Sequence, residues 1–151
     1  MIIPDKPELG MVVSYSFLWK REQEKGETSG RKDRPAAIVI IRSDLGPGEL
    51  VYVVPITHPG PAQGDQTKIA IPQVIKQRLG LDEEQSWIDV GEYNAFIWPG
   101  ADLRPTKTSR GPSAQGQQTC LYGFLPRKFF AKMRLALNEY RLSNKPRLTR
   151  R

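Results

Sequence analysis

The apolar run Pro35-Ala36-Ala37-Ile38-Val39-Ile40-Ile41 constrains this chain more than any other segment. It carries no charge and is rich in β-branched side chains, so it reads as a central strand buried on both faces. Such a strand requires a layer of structure over each face. Pro35 suits its start, where a missing ladder donor costs least. A turn at Asp44-Leu45-Gly46-Pro47-Gly48 leads into Leu50-Val51-Tyr52-Val53-Val54-Pro55-Ile56, the antiparallel partner. The hairpin brings Arg34 and Thr57 to the ends of neighbouring strands. A rigid guanidinium beside a small hydroxyl is equipped to grip a phosphate and to stabilise charge that builds there.

Around this hairpin the chain alternates short elements with polar loops. Gly10 precedes Met11-Val12-Val13-Ser14-Tyr15-Ser16-Phe17-Leu18, a half-buried strand, and Trp19 to Asp33 turns abruptly polar, which predicts a long mobile loop. Gln66 to Ile71 reads as a short strand. Pro72 to Leu79 reads as a short helix, with Pro at its first position and Gly80 just past its end. Ser86 to Val90 and Ala95 to Trp98 supply two more strands, with Gly91 to Asn94 bending between them. Pro99 to Gln118 is a second polar loop, and a further strand covers Leu121 to Leu125. Pro126 opens a terminal helix on which Phe129, Phe130, Met133, Leu137 and Tyr140 recur at helical spacing, the mark of a core-packing stripe. Five to seven short strands, a small helix and a terminal helix predict a mainly β, α+β domain, a small SH3-like barrel.

The chain of 151 residues fits one domain. No apolar run is long enough to cross a bilayer and the N-terminal residues lack the pattern of a signal peptide, so a cytoplasmic protein without membrane association is expected. The single cysteine, Cys120, excludes an intrachain disulfide and reads as a buried strand thiol. One His and one Cys make a structural zinc site implausible, and no cofactor is expected. The net charge is +7, but Arg141, Lys145, Arg147, Arg150 and Arg151 supply five of those charges with no acid among them. The expected organisation is a domain over 1–140 and a basic tail over 141–151, either seeking anions or simply solvated.

The blocks Gly10-Met11-Val12-Val13, the charged loop, Arg34-Pro35-Ala36-Ala37-Ile38-Val39-Ile40, Val51-Tyr52-Val53-Val54-Pro55-Ile56-Thr57 and the Leu125-Pro126 helix together resemble the PemK/MazF toxin family in order and spacing. The resemblance spans most of residues 10 to 140. It implies a homodimeric SH3-like barrel acting as a metal-independent, sequence-specific endoribonuclease on single-stranded RNA, held inactive by an antitoxin partner. It also implies that Arg34 and Thr57 form the catalytic centre. Some relatives carry a functional glutamate before the arginine, which maps loosely onto Glu27 in a loop that is longer here. A further family element, an Asp-Gln string followed by a basic residue, corresponds to Glu92-Tyr93-Asn94-Ala95, where neither Arg nor Lys stands. The chain then uses another cation or has lost activity.

The chemistry makes sense of the Arg34 and Thr57 pairing independently. Cleavage through the RNA's own 2′-hydroxyl requires a base for that hydroxyl, an acid for the leaving 5′-oxygen and donors for the transition state. Arg34 offers a fork of N–H donors and Thr57 one hydroxyl, each worth roughly 10²-fold in rate if preorganised. The bland alternatives are a surface salt bridge for Arg34 and a turn hydroxyl for Thr57. His58 is the side chain best suited to move protons near neutrality, or else an exposed turn histidine. Trp19, with Lys20 and Arg21 beside it, is the first choice for a base-stacking platform, and Trp98 the second; both also fit a core. Arg31, Lys32, Arg104, Lys107 and Arg110 are candidate phosphate contacts or solvating loop charges. A different class of function fits the same barrel: a non-catalytic binding module acting on protein or nucleic acid, as in CcdB-like toxins.

Overall fold

Alternate residues of the central strand enter two different cores. In the computed structural model, which describes residues 1–107 and 118–151, strand β2 (Arg34–Arg42) sends Ala37 and Val39 to one side and Ala36 and Ile38 to the other. All four are buried, as the uninterrupted apolar run requires. One core lies under the helices and gathers Val12, Val54, Ile56 and Ile88 with Phe129, Met133 and Leu137. The other gathers Val13, Tyr15, Phe17, Trp19, Phe96, Trp98 and Cys120.

Strand β1 (Met11–Tyr15) pairs antiparallel with β2, and β2 with β3 (Leu50–Thr57), so the predicted hairpin is present. Strand β4 (Lys68–Ala70) is shorter than expected, and β5 (Trp87–Asp89) and β6 (Glu92–Ile97) share the edge of β3. Leu50 to Val53 pair with β6, and Ile56 and Thr57 pair with β5. Strand β7 (Leu121–Phe124) joins the far side of β1. Among the described residues the sheet has eight strands, mainly antiparallel, and is not closed.

Helix α2 (Gln73–Leu79) follows Pro72 and stops at Gly80, whose φ of 71° is the left-handed geometry that glycine tolerates best. Helix α3 (Arg127–Ser143) buries Phe129, Met133 and Leu137, with Phe130 and Tyr140 packed at the margin.

Two expectations need correction. The Trp19 to Asp33 segment is not wholly a loop: α1 (Lys20–Glu24) forms there because the Glu22 carboxylate turns back to accept the Trp19 N–H at 3.0 Å. Gly30 then packs so close to the chain just after β1 that a Cβ would clash with the Phe17 carbonyl oxygen. The expected boundary at residue 141 falls inside α3, and the basic tail is not separate from the domain. Arg147–Arg150 form strand β8, parallel to β6, with Arg147 opposite Glu92 and Arg150 opposite Ala95. Thr149 is fully buried there, so backbone pairing and burial hold a segment whose charge suggested a free end.

Among the described residues, no helix is long and apolar enough to cross a membrane.

Candidate functional site

The register of β2 and β3 determines where the first two candidate residues meet. Ala36 faces Pro55 and Ala37 faces Val54. Arg34 and Thr57 each lie two residues beyond the Ala36 and Pro55 pair on their own strands. Arg34 faces Tyr15 on β1, and Thr57 faces Trp87 on β5. Both residues line two cavities, one of about 600 Å³ and one of about 290 Å³. The pair is thus a shared wall between two concave spaces.

Thr57 is only 5% exposed and its Oγ1 makes no hydrogen bond. A buried hydroxyl without a partner costs stability, so the reading of Thr57 as a satisfied turn residue does not describe it. Arg34 is half-buried with its guanidinium 5.4 Å from the centre of the Trp19 ring. Burial lowers its affinity for the proton; the Glu22 charge opposes that effect and Arg21 adds to it. A guanidinium nevertheless stays protonated in proteins.

Trp19 is 7% exposed, with Arg21 at 4.8 Å from its ring centre. The indole belongs to the core and carries two guanidiniums on its π surface, a cation–π arrangement rather than an open stacking face. Its Nε1 lacks a partner. Trp98 is likewise buried and donates its indole N–H to the Pro4 carbonyl at 2.9 Å.

His58 follows Thr57 and lines the smaller cavity together with Arg34, Thr57, Lys32 and Lys107. Its Nε2 stands 2.8 Å from Asp82 Oδ2 and its Nδ1 3.1 Å from Glu84 Oε2. Both ring nitrogens thus face carboxylate oxygens. Asp82 is fixed in turn by Lys76, a lysine 1% exposed, whose Nζ lies 2.8 Å from Asp82 Oδ1 and also donates to the Glu84 carbonyl. Burial pushes the Asp82 carboxyl up, but the Lys76 and His58 contacts outweigh it and hold it below its ordinary value.

Glu27 lies away from this centre. Its Oε1 accepts from Arg31 Nε at 3.1 Å, and it lines a separate depression beside Arg150 and Arg151. Arg31 is further occupied by Glu22 at 3.2 Å. The carboxylate whose charge acts on Arg34 is therefore Glu22, buried on α1, and not Glu27. Arg104 donates to the carbonyls of Ala101 and Leu103. Arg110 lies outside the described residues. Lys20 lines a third depression, of about 870 Å³, with Arg21, Lys145 and Arg147.

Sequence reasoning did not single out Asp65, Lys68, Asp89 or Arg147, all of which line the cavity of about 600 Å³. Asp89 Oδ1 accepts the Gly91 amide at 2.9 Å, and burial pushes its carboxyl above the ordinary value. Burial acts upward on Asp65 also, but bonds from the Thr67 amide and hydroxyl at 2.8 and 2.6 Å leave it lowered. Arg147 arrives from β8 and stands beside Glu92 on β6, with its Nη1 3.5 Å from Glu92 Oε1. Asn94 is fully buried and committed to structure, bonded to both backbone groups of Leu18 and to Arg151. The signal that could have found Arg147 is the acid-free spacing of basic residues after Arg141, a pattern that a solvated tail fits equally well.

No family model matches this chain, and no curated protein matches it in sequence.

Proposed function

We propose that this protein is a metal-independent endoribonuclease of the PemK/MazF type, acting on single-stranded RNA and restrained by an antitoxin. The observation that carries the reading is the Arg34 and Thr57 pair. One half-buried guanidinium and one buried, unpartnered hydroxyl, at the ends of adjacent strands, line the same two cavities. The half-exposed, carboxylate-held imidazole of His58 opens onto the smaller one. In this reading the 2′-hydroxyl gives its proton to solvent as its oxygen attacks the adjacent phosphorus, the bond from phosphorus to the 5′-oxygen breaks, and a 2′,3′-cyclic phosphate forms. Arg34 and Thr57 donate to the non-bridging oxygens, where charge accumulates. His58, giving up one of its two carboxylate contacts, protonates the departing 5′-oxygen. Asp65, half-buried at the wall of the larger cavity, offers an acceptor for base N–H groups.

The branched sheet, with β3 sharing its edge between β5 and β6, fits a strongly bent SH3-like barrel. A homodimer, the family's arrangement, belongs to the same proposal.

Purified protein incubated with a long mixed RNA in EDTA is expected to leave 2′,3′-cyclic phosphate ends, and Arg34→Ala to lower the rate by about 10²-fold or more while folding normally. Uncut RNA across varied sequences, or full activity in Arg34→Ala, defeats the proposal. RNA or protein capture without cleavage indicates the non-catalytic binding module instead.

A further inference from the structure

The cavity of about 600 Å³ that holds Arg34 and Thr57 does not end at its own rim. Arg21 and Arg147 line it and also line the third depression, of about 870 Å³, so the two spaces share a wall. The third depression adds Lys20 from α1 and Lys145 from the approach to β8. Its floor is Glu92, 2% exposed, which holds both sides together: Oε2 accepts the Lys20 amide at 3.3 Å and Oε1 meets Arg147 Nη1 at 3.5 Å. The buried carboxylate fixes the backbone of α1 and the root of Arg147, while the Arg147 side chain remains 70% exposed. Its remaining guanidinium donors thus face the depression.

We propose that α1 and β8 build a second phosphate subsite for single-stranded RNA, continuing the strand path out of the Arg34 and Thr57 cavity. This rests on the RNA reading above. Cations alone fit any polyanion, but accessible carboxylates are interleaved among them: half-buried Asp65 lines the first space and exposed Glu24 the second. An acidic peptide meets like charges at those positions. A nucleotide strand brings phosphates to the cations and base N–H groups to the carboxylates.

The test is affinity against length, using non-cleavable 2′-O-methyl oligoribonucleotides of about 4 and about 12 nucleotides, within the span that single-strand binding folds cover. The wild-type protein is expected to bind the longer strand more tightly than a count of registers explains. Lys20→Ala with Lys145→Ala is expected to reduce that length advantage about tenfold at low salt. The same double variant should lower the salt slope for the longer strand by about 1.4, at roughly 0.7 for each phosphate no longer neutralised. Both side chains lie outside the core, and Lys145→Glu alone should reduce the advantage further. An absent length advantage, or an advantage and slope unchanged in the variants, overturns the subsite. Polyglutamate displacing the longer strand as effectively as unlabelled RNA also overturns it, in favour of an acidic protein partner. Binding of the short strand, weakened by Arg34→Ala, keeps the RNA reading intact if the subsite fails; no binding at either length removes both.

Discussion

Arg151 Nη1 donates to Asn94 Oδ1 at 2.9 Å, joining the end of β8 to a fully buried amide in the middle of β6. The same guanidinium donates to the carbonyls of Ser16 and Thr28 and lies 3.1 Å from Asp102 Oδ1. Partners from separate segments of the chain converge on one side chain that is 4% exposed. Arg151→Ala is therefore expected to destabilise the fold by about 2 kcal/mol, because it leaves buried acceptors unpaired. A urea titration showing an unchanged midpoint would contradict this role.

Thr57 separates stability from activity. Its Oγ1 is buried and unpartnered, so Thr57→Val, which keeps the shape and removes the hydroxyl, is expected to stabilise the protein by about 1 kcal/mol. RNA cleavage by the same variant is expected to fall about 10²-fold, since a transition-state donor is removed. Denaturant midpoint and single-turnover rate measured on one preparation decide the matter. A destabilised but fully active Thr57→Val would show that the hydroxyl serves the fold.

Glu92 sets a pH dependence of definite sign. Burial pushes its carboxyl above the ordinary value of 4.5, in spite of the Lys20 amide and Arg147. A raised carboxyl means that the folded state holds the proton more tightly than the unfolded state. Stability is thus fullest below the unfolded value and falls as pH rises from there through the folded value, after which the cost is constant. Glu92→Gln is expected to flatten that part of the stability curve, measured by urea unfolding across the acidic range. An identical pH slope in the variant would assign the effect elsewhere.

Gly30 is required by close approach. Its amide donates to Ser16 Oγ at 3.1 Å, and a Cβ would clash with the Phe17 carbonyl oxygen. Gly30→Ala is expected to cost about 1–3 kcal/mol, the range for forced overpacking. It should also loosen the segment between α1 and Arg34, read as faster amide exchange at residues 26–33. Wild-type exchange and stability in the variant would refute this.

Much of the scaffold was legible because its signals are local. The apolar run from Pro35, the Gly and Pro turn after Asp44 and the five-residue stripe on α3 each report their own environment, and β2, β3 and α3 appear close to where those signals lie. Cys120 is buried as expected, although it stands in a bend just before β7 rather than within a strand. Other features depend on partners distant in sequence. Glu22 rather than Glu27 influences Arg34 because α1 turns the first inward and leaves the second beside Arg31. Trp19 is covered because β1 carries the chain into the core before α1 begins.

The sequence by itself determined the central hairpin, the two core-facing sides of β2 and the arrival of Arg34 and Thr57 at adjacent strand ends, since periodicity and turn chemistry are written into contiguous residues. Only the tertiary structure decided that Arg147–Arg150 is a strand. A short basic segment has no hydrophobic period to announce itself, and its pairing with β6 is secured by backbone hydrogen bonds, by the burial of Thr149 and by the hold of Arg151 on Asn94, none of which a local pattern encodes.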